Sequence, residues 1–466
     1  MKRVEFEAYL KDLKNKSVSV IGLGVSNRPL IELLLKSGAK VTARDKKETL
    51  GEYGLDLTRR GCDLRLGEDY LKDLNQDIIF RTPGMRPDLP ELQEAVQHGS
   101  ILTSEMEIFF EVCPCPILAV TGSDGKTTTT TILANIFQSI GKKVWLGGNI
   151  GHPLLAETGD IKHLDLAVLE LSSFQLMTMK KSPRIAVITN ISPNHLDVHK
   201  DYQEYIQAKE NIFKFQKPDD LLILNYDNTV TREEAARAPG RVRMFSRKIE
   251  LKDGVFLRGE QIISRKISRN GEISERVIMN VSDINLPGAH NIENYLAVIA
   301  AADDQIPDEN IKNFAREFKG VEHRIELFRT RRGVRWYNDS IASSPSRTIA
   351  GLNAFQDNKL ILIAGGKDKG ISYRDLGPVI NAHVKYLILC GATAGVIRES
   401  VKQADNYNGL QIQEVSNYPD AVKLADEIAK PGDIVILSPA STSFDRFANF
   451  MERGEVFKNL VNALPE

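Results

Sequence analysis

The sequence predicts an α/β protein of three domains in series, on three observations. At 466 residues the chain exceeds what one hydrophobic core organises. Short apolar runs alternate with helix-like stretches along most of its length, the pattern of parallel strands buried on both faces. That alternation restarts twice, so the expected boundaries are 1–110, 111–319 and 320–466.

The first run opens with the apolar strand Val18-Ser19-Val20-Ile21-Gly22-Leu23-Gly24. A helix-like segment follows from Arg28 to Ser37, stopped by Gly38, and then a second strand from Lys40 to Asp45. This is one βαβ unit, and the domain is expected to be Rossmann-like. A further strand, Asp77 to Arg81, ends in Thr82-Pro83-Gly84, and Ile101-Leu102-Thr103 leads into an apolar-faced helix around Glu105 to Phe110. Gly22-Leu23-Gly24 with Asp45 resembles a dinucleotide turn, but Asn27 stands where a third glycine is expected, so alone it is weak evidence.

The second run starts at Pro116 and continues through Leu166 to Glu170, Ile185 to Asn190 and Asp220 to Asn225, strands of a mostly parallel sheet. Between Arg241 and Val281 short alternating segments, with Asp253-Gly254 and Asn270-Gly271 as turns, predict a small antiparallel insert. The first strand of this run enters Gly122-Ser123-Asp124-Gly125-Lys126-Thr127-Thr128 and then a helix. Small residues between a buried strand and a helix aim backbone N–H groups at one point, where the helix dipole also favours an anion. The domain therefore reads as P-loop ATPase-like, in a shorter variant because Val120 occupies the first glycine position. Lys126 is expected against the β- and γ-phosphates, and the Thr127 hydroxyl on magnesium.

Glu170 ends the neighbouring strand and is the expected carboxylate ligand of that ion; otherwise it is a charge that merely closes a strand. His195, in Asn194-His195-Leu196-Asp197, is a candidate second ligand, and read alone it is equally a structural or solvated histidine. Lys209 alone reads as a solvated helix lysine.

The third run has strands at Val334 to Tyr337, Leu360 to Ala364, Lys385 to Leu389 and Asp433 to Leu437, several ending in Gly or Ser, where parallel sheets bind ligands. It too is expected to be Rossmann-like.

Composition excludes other classes. Lys and Arg number 61 against 62 Asp and Glu, leaving no basic excess for a nucleic-acid backbone. No apolar run reaches membrane-spanning length and the first residues lack a signal-peptide core, so neither a membrane span nor export is expected. Four cysteines make no disulfide framework and fit a reducing cytoplasm. Cys113-Pro114-Cys115 reads as small residues before a strand, or as a thiolate metal pair with unusually short spacing.

Taken together, Thr121 to Thr127, Gly147-Gly148-Asn149-Ile150-Gly151, Leu169 to Leu176, Asn194 to Asp197 and His290-Asn291-Ile292-Glu293-Asn294 resemble the Mur ligases of peptidoglycan synthesis over essentially the whole chain. The resemblance implies ATP and two magnesium ions. It also implies that Glu170, His195 and Lys209, the last as a carbamate, join Thr127 around the metal, with Lys126, Glu170, His195 and Lys209 as catalytic residues. It assigns ATP contacts to Gly122 through Thr128, Asn291, Asn294, Arg324 and Asp339. The N-terminal domain and Asn338-Asp339-Ser340, Gly365 to Gly370 and Leu437 to Phe447 resemble the member that adds D-glutamate to UDP-N-acetylmuramoyl-L-alanine.

On that resemblance the UDP substrate falls to Gly24, Val25, Ser26, Asp45, Lys46, Thr82, Pro83, Gly84, Asn149, Ser172 and Gln175. D-glutamate falls to Ser343, Lys369, Ser443 and Phe450. Two departures from the family pattern are Ile341 for a common lysine and Ser343 for a threonine. A cytoplasmic monomer acting on small molecules is expected.

Overall fold

The computed structural model describes residues 5–24, 27–193, 198–268, 270–302, 305–355, 360–368 and 371–465. The expected Val25, Ser26, His195 and Lys369 lie outside the described residues. The described residues form three sheets, and the α/β fold is a three-domain one.

The first sheet comprises β1 (Ser17–Ile21), β2 (Lys40–Asp45), β3 (Asp63–Leu66), β4 (Ile78–Phe80) and β5 (Ile101–Thr103), all parallel, in the order β3-β2-β1-β4-β5. The βαβ unit forms as expected: the helix Arg28–Ser37 buries Leu30, Ile31 and Leu34 and stops at Gly38, whose φ of +82° suits glycine. Strand β3 is half-buried and polar at alternate positions, which hid it from an apolar-run reading.

Among the described residues the central sheet has nine strands: β6 (Ile117–Thr121), β7 (Val144–Gly148), β8 (Leu166–Glu170), β9 (Ile185–Ile188), β10 (Leu221–Asn225), β11 (Arg241–Ser246), β12 (Gly254–Arg258), β13 (Gln261–Ile267) and β14 (Ile273–Asn280). Their order is β14-β13-β12-β11-β10-β9-β6-β8-β7. The antiparallel part is smaller than expected and belongs to the same sheet. β11 runs parallel to both β10 and β12, and only β12-β13-β14 are antiparallel.

Asn270-Gly271 does lie between the paired β13 and β14. Asp253-Gly254 is not a hairpin. Gly254 (φ +143°) is there because a Cβ would sit 2.4 Å from the Met244 carbonyl oxygen, and the tight turn between β12 and β13 is Gly259-Glu260. Cys113 and Cys115 are buried with sulfurs 3.6 Å apart, and among the described residues no third ligand gathers with them.

The third sheet comprises β15 (Glu326–Arg331), β16 (Val334–Asn338), β17 (Leu360–Ala364), β18 (Val384–Leu389), β19 (Gln411–Glu414) and β20 (Ile434–Leu437), in the order β15-β16-β20-β17-β18-β19. Only β15 is antiparallel.

Packing divides the chain into two compact units, Met1–Val281 with Glu293–Lys312, and Ser282–Ile292 with Asn313–Glu466. Within the first, one continuous core runs from Val18 and Val20 through Phe109 to Leu169, Tyr205 and Leu222, so its two sheets are packed as one body. No helix among the described residues is long and apolar enough to cross a membrane.

Candidate active site

The phosphate loop is built by close approach. Strand β6 is wholly buried and feeds Gly122 (φ +149°), and Gly125 (φ +78°) caps the helix Lys126–Ser139. A Cβ on Gly122 would meet Thr189 Oγ1 at 1.9 Å, and one on Gly125 would meet Asn294 Oδ1 at 2.4 Å, so only glycine fits either place. Segments beyond β9 clasp the loop. Ser123 N donates to Asn190 O (2.9 Å), Asp124 N to Asn190 Oδ1 (2.9 Å) and Thr189 Oγ1 to Asp124 O (2.5 Å). Ser123 Oγ lies 2.9 Å from the Tyr205 hydroxyl.

Lys126 folds over its own loop, its Nζ donating to the carbonyls of Gly122 (3.0 Å) and Ser123 (2.9 Å). Thr127 and Thr128 are buried in the first helical turn. Asn294 Oδ1 accepts from Thr129 Oγ1 (3.2 Å), placing it against the loop.

Two ionisable groups are buried beside this loop. Glu170, 1% exposed, accepts from Asn149 Nδ2 at Oε1 (2.7 Å), while its Oε2 is buried with no hydrogen-bond partner among the described residues. A buried carboxylate oxygen left unsatisfied is costly unless a cation completes it, so the donor set fits magnesium. Gly148 (φ +95°) permits that approach, since a Cβ there would lie 2.1 Å from the Glu170 carbonyl oxygen. Lys209 is also 1% exposed, which overturns the solvated reading. Its Nζ donates to Gly122 O (2.8 Å) and Thr121 Oγ1 (3.2 Å) and lies 4.7 Å above the Tyr205 ring. Burial, then the nearby Lys126 charge, hold its pKa well below the ordinary lysine value, against Glu170 and Asp124.

The first sheet brings its candidates to one edge, because β1 lies between β2 and β4. Asp45 Oδ2 accepts from Leu23 N (2.7 Å) and its Oδ1 from Lys47 N (3.0 Å), fixing the turn that includes Gly24 beside exposed Lys46. A Cβ on Gly22 would lie 2.9 Å from Thr82 Cβ, so the Thr82-Pro83-Gly84 turn abuts the first one. Ser172 and Gln175 form a capping box at the helix Ser173–Leu176, just beyond Glu170.

Sequence reasoning missed the residue that joins these two sets. Buried Arg81 donates to Pro83 O and Met85 O (3.0 Å each), and to Phe174 O (3.3 Å) and Thr178 Oγ1 (2.7 Å). Nothing in a strand-end arginine signals that role.

In the second unit, β16, β20 and β17 are parallel neighbours, so Asp339, Ser343 and Ser443 follow strands whose carboxyl ends share an edge. Asp339 is buried. Its Oδ2 accepts from Ser438 Oγ (2.7 Å), and burial pushes its pKa up to about 7 despite that bond and the charge of Arg324. Buried Arg453, also unforeseen, ties Ser340 O (2.8 Å) to Ser441 O (3.0 Å), while Ser340 Oγ donates to Phe450 O (2.7 Å). Asn291 Nδ2 donates to Pro287 O (2.7 Å).

A glycine-built anion cradle with a lysine over it, beside a buried carboxylate with one oxygen unpaired among the described residues, defines a nucleoside-triphosphate-dependent enzyme. Two family models match the chain: Mur ligase middle domain over residues 120–302, and Mur ligase, glutamate ligase domain over residues 323–441. The UDP-N-acetylmuramoylalanine--D-glutamate ligase of Acetivibrio thermocellus is 52% identical over 469 residues, covering 98% of each chain. The ligase of the same name from Ruminiclostridium cellulolyticum is 53% identical over 467 residues, 99% of each. The chain belongs to the Mur ligase family.

Solved structures agree on the fold. The UDP-N-acetylmuramate-alanine ligase of Thermotoga maritima aligns with a TM-score of 0.59 at 18% identity, over 96% of this chain and 100% of that one. The MurF ligase of Thermotoga maritima, solved in complex with ADP, gives 0.54 at 18% identity over 97% of this chain and 96% of that one.

Proposed function

We infer that this chain ligates D-glutamate to UDP-N-acetylmuramoyl-L-alanine at the expense of ATP, releasing ADP and phosphate, in the synthesis of peptidoglycan precursors. Near-complete alignment with ligases of that name supports the substrates. The observation that carries the chemistry is the phosphate loop with Glu170 and Lys209 buried against it.

A carboxylate is a poor electrophile, so the L-alanyl carboxylate first attacks the γ-phosphate, the bond to the β-phosphate oxygen breaks, and ADP leaves as an acyl phosphate forms. The D-glutamate amine then attacks the acyl carbon and phosphate leaves. The loop amides and Lys126 hold the phosphates and offset charge that grows in the transition state. Glu170 and Thr127, with His195 and carbamylated Lys209, are the residues we assign to two magnesium ions. Bound there, magnesium neutralises phosphate charge. For Lys209, burial beside the loop supports the carbamate, since carbon dioxide adds to a neutral amine and the product is an anion suited to metal.

We further assign the UDP moiety to residues 1–110, ATP to 111–319 and D-glutamate to 320–466, with Ser343, Lys369, Ser443 and Phe450 at the amino acid. The enzyme acts as a monomer in the cytoplasm, where ATP is available. The test is phosphate release from ATP with each substrate omitted in turn. Release should require D-glutamate and the UDP-linked acceptor together; hydrolysis indifferent to D-glutamate would overturn the assignment.

A further inference from the structure

We propose that Arg86 is a positioning residue: through Glu204 and His199 it fixes the helix that carries Lys209 and so ties the phosphate site to the Thr82-Pro83-Gly84 turn of the first sheet. The inference rests on the ligase reading above and deepens it.

Arg86 lies just beyond Gly84. Its guanidinium grips the Glu204 carboxylate with both ends, Nη1 to Oε2 and Nη2 to Oε1 at 2.9 Å each, and donates through Nη1 to the Val198 carbonyl (2.7 Å). Asp88, accepting from Nε and Nη2 at 2.8 Å, holds the guanidinium on its other edge and is itself paired with Lys200 (2.8 Å). A two-point arginine–carboxylate contact fixes orientation as well as distance. Glu204 sits in the first turn of the helix Tyr202–Glu210, where Asp201 caps its N–H at 2.8 Å.

From Glu204 the contacts continue inward. Glu204 Oε2 stands 3.5 Å from Nδ1 of His199, a ring with no side-chain exposure. Its Nε2 is 3.0 Å from Ser173 Oγ, it stacks on Phe174 at 5.3 Å and 9°, and it meets the edge of Tyr205 at 5.2 Å. Tyr205 closes the path, with its hydroxyl on Ser123 of the phosphate loop and its ring under Lys209 Nζ. Arg81, just after β4, grips the backbone at Phe174, so two arginines that follow this strand hold the helix that carries the buried lysine and the ring that stacks on His199. A tilt of the helix would move Tyr205 and Lys209 together, and catalysis is sensitive to misplacement on the scale of an ångström.

The test uses the full chain with Arg86→Gln, Arg86→Lys, Glu204→Gln and the double variant Arg86→Gln/Glu204→Gln, in the phosphate-release assay. Wild-type ligation is measured first; its failure sinks the ligase reading, whereas wild-type ligation with unaffected variants sinks only the Arg86 link. Arg86→Gln should lower kcat on the order of tenfold or more, with the KM for ATP and D-glutamate changed less than about twofold. Arg86→Lys should recover part of the loss. Because either single change breaks the same contact, the double variant should be no slower than the slower single one. Losses that multiply in the double variant overturn the proposal, as does a change confined to the KM for the UDP substrate. Should Arg86→Gln fail to fold, Glu204→Gln and Arg86→Lys, paired as a second double variant, carry the same comparison.

Discussion

Replacing Gly122 by alanine tests the claim that the phosphate loop depends on backbone close approach. The residue has a φ of +149°, where an L side chain costs about 1–3 kcal/mol. Its new Cβ would lie 1.9 Å from Thr189 Oγ1, so Thr189 must leave its place. In doing so it gives up donation to Asp124 O (2.5 Å) and Thr121 O (3.3 Å), worth about 1 kcal/mol of net stability. We expect about 3 kcal/mol of destabilisation in all, read by urea denaturation of tryptophan emission, because Trp145 lies in the same sheet. Ligation should fall on the order of a hundredfold, since the loop amides are re-aimed.

Adding Thr189→Ala removes the 1.9 Å contact and leaves Asn190 O at 3.1 Å, so about 1 kcal/mol should return, while activity should not, because the clasp on Asp124 is gone. Denaturation and turnover both unchanged in Gly122→Ala would refute the reasoning.

Three further outcomes follow from the site and its surroundings. Lys126→Ala should fold normally and lose ligation by at least about a hundredfold; near-normal turnover would sink the acyl-phosphate scheme. Glu170→Gln keeps the Asn149 bond and the volume but removes the charge, so activity at fixed ATP should fall and its half-saturation in magnesium should rise about tenfold or more; an unchanged magnesium titration would exclude Glu170 as a ligand. Glu234, buried, is pushed up to about 7 by burial first and then by Glu210, so the folded state keeps a proton that the unfolded chain releases near 4.5. Stability should therefore fall as pH rises through that window, and Glu234→Gln should be the more stable protein at pH 8 by about 1–2 kcal/mol. Parallel pH–stability curves for the two proteins would contradict it.

Apolar periodicity was enough to find the strands that are buried on both faces. β1, β6, β8, β10 and β17 are wholly or almost wholly buried, and apart from the closing Glu170 of β8 and Asn225 of β10 each is a run of small and β-branched or leucine side chains. β3 and β19 escaped because edge strands keep polar residues on their open side, leaving no apolar run to see. Turn chemistry misled at Asp253-Gly254 for a related reason. A glycine beside an aspartate reads as a hairpin, whereas the demand there was for a backbone without a Cβ against the Met244 carbonyl, which only the tertiary structure reveals.

The site divides in the same way. Phosphate-loop residues are legible because strand, turn and helix lie consecutively, and Glu170 because it ends a strand. The burial of Lys209 carried a local signal as well, for it lies four residues after Tyr205 and beside Ala208, on the stripe that the helix Tyr202–Glu210 buries.

Arg44, Arg81 and Arg453 had no such signal, and their partners explain why. All three are fully buried, with burial lowering the pKa of each, and none is satisfied mainly by a carboxylate. Arg44 donates to the carbonyls of Tyr70, Lys72 and Asp73, Arg81 to those of Pro83, Met85 and Phe174, and Arg453 to those of Ser340 and Ser441. A ligand-binding edge is made of irregular turns, and irregular turns leave carbonyl oxygens that no strand or helix satisfies. A planar fork of five donors can satisfy several at once, which lysine cannot do in the same geometry. The acceptors are backbone atoms, identical for every residue type and up to 113 positions away, as from Arg453 to Ser340. Side-chain identity at the far end therefore carries no trace of the contact, and these buried arginines become visible only once the turns they hold have been placed.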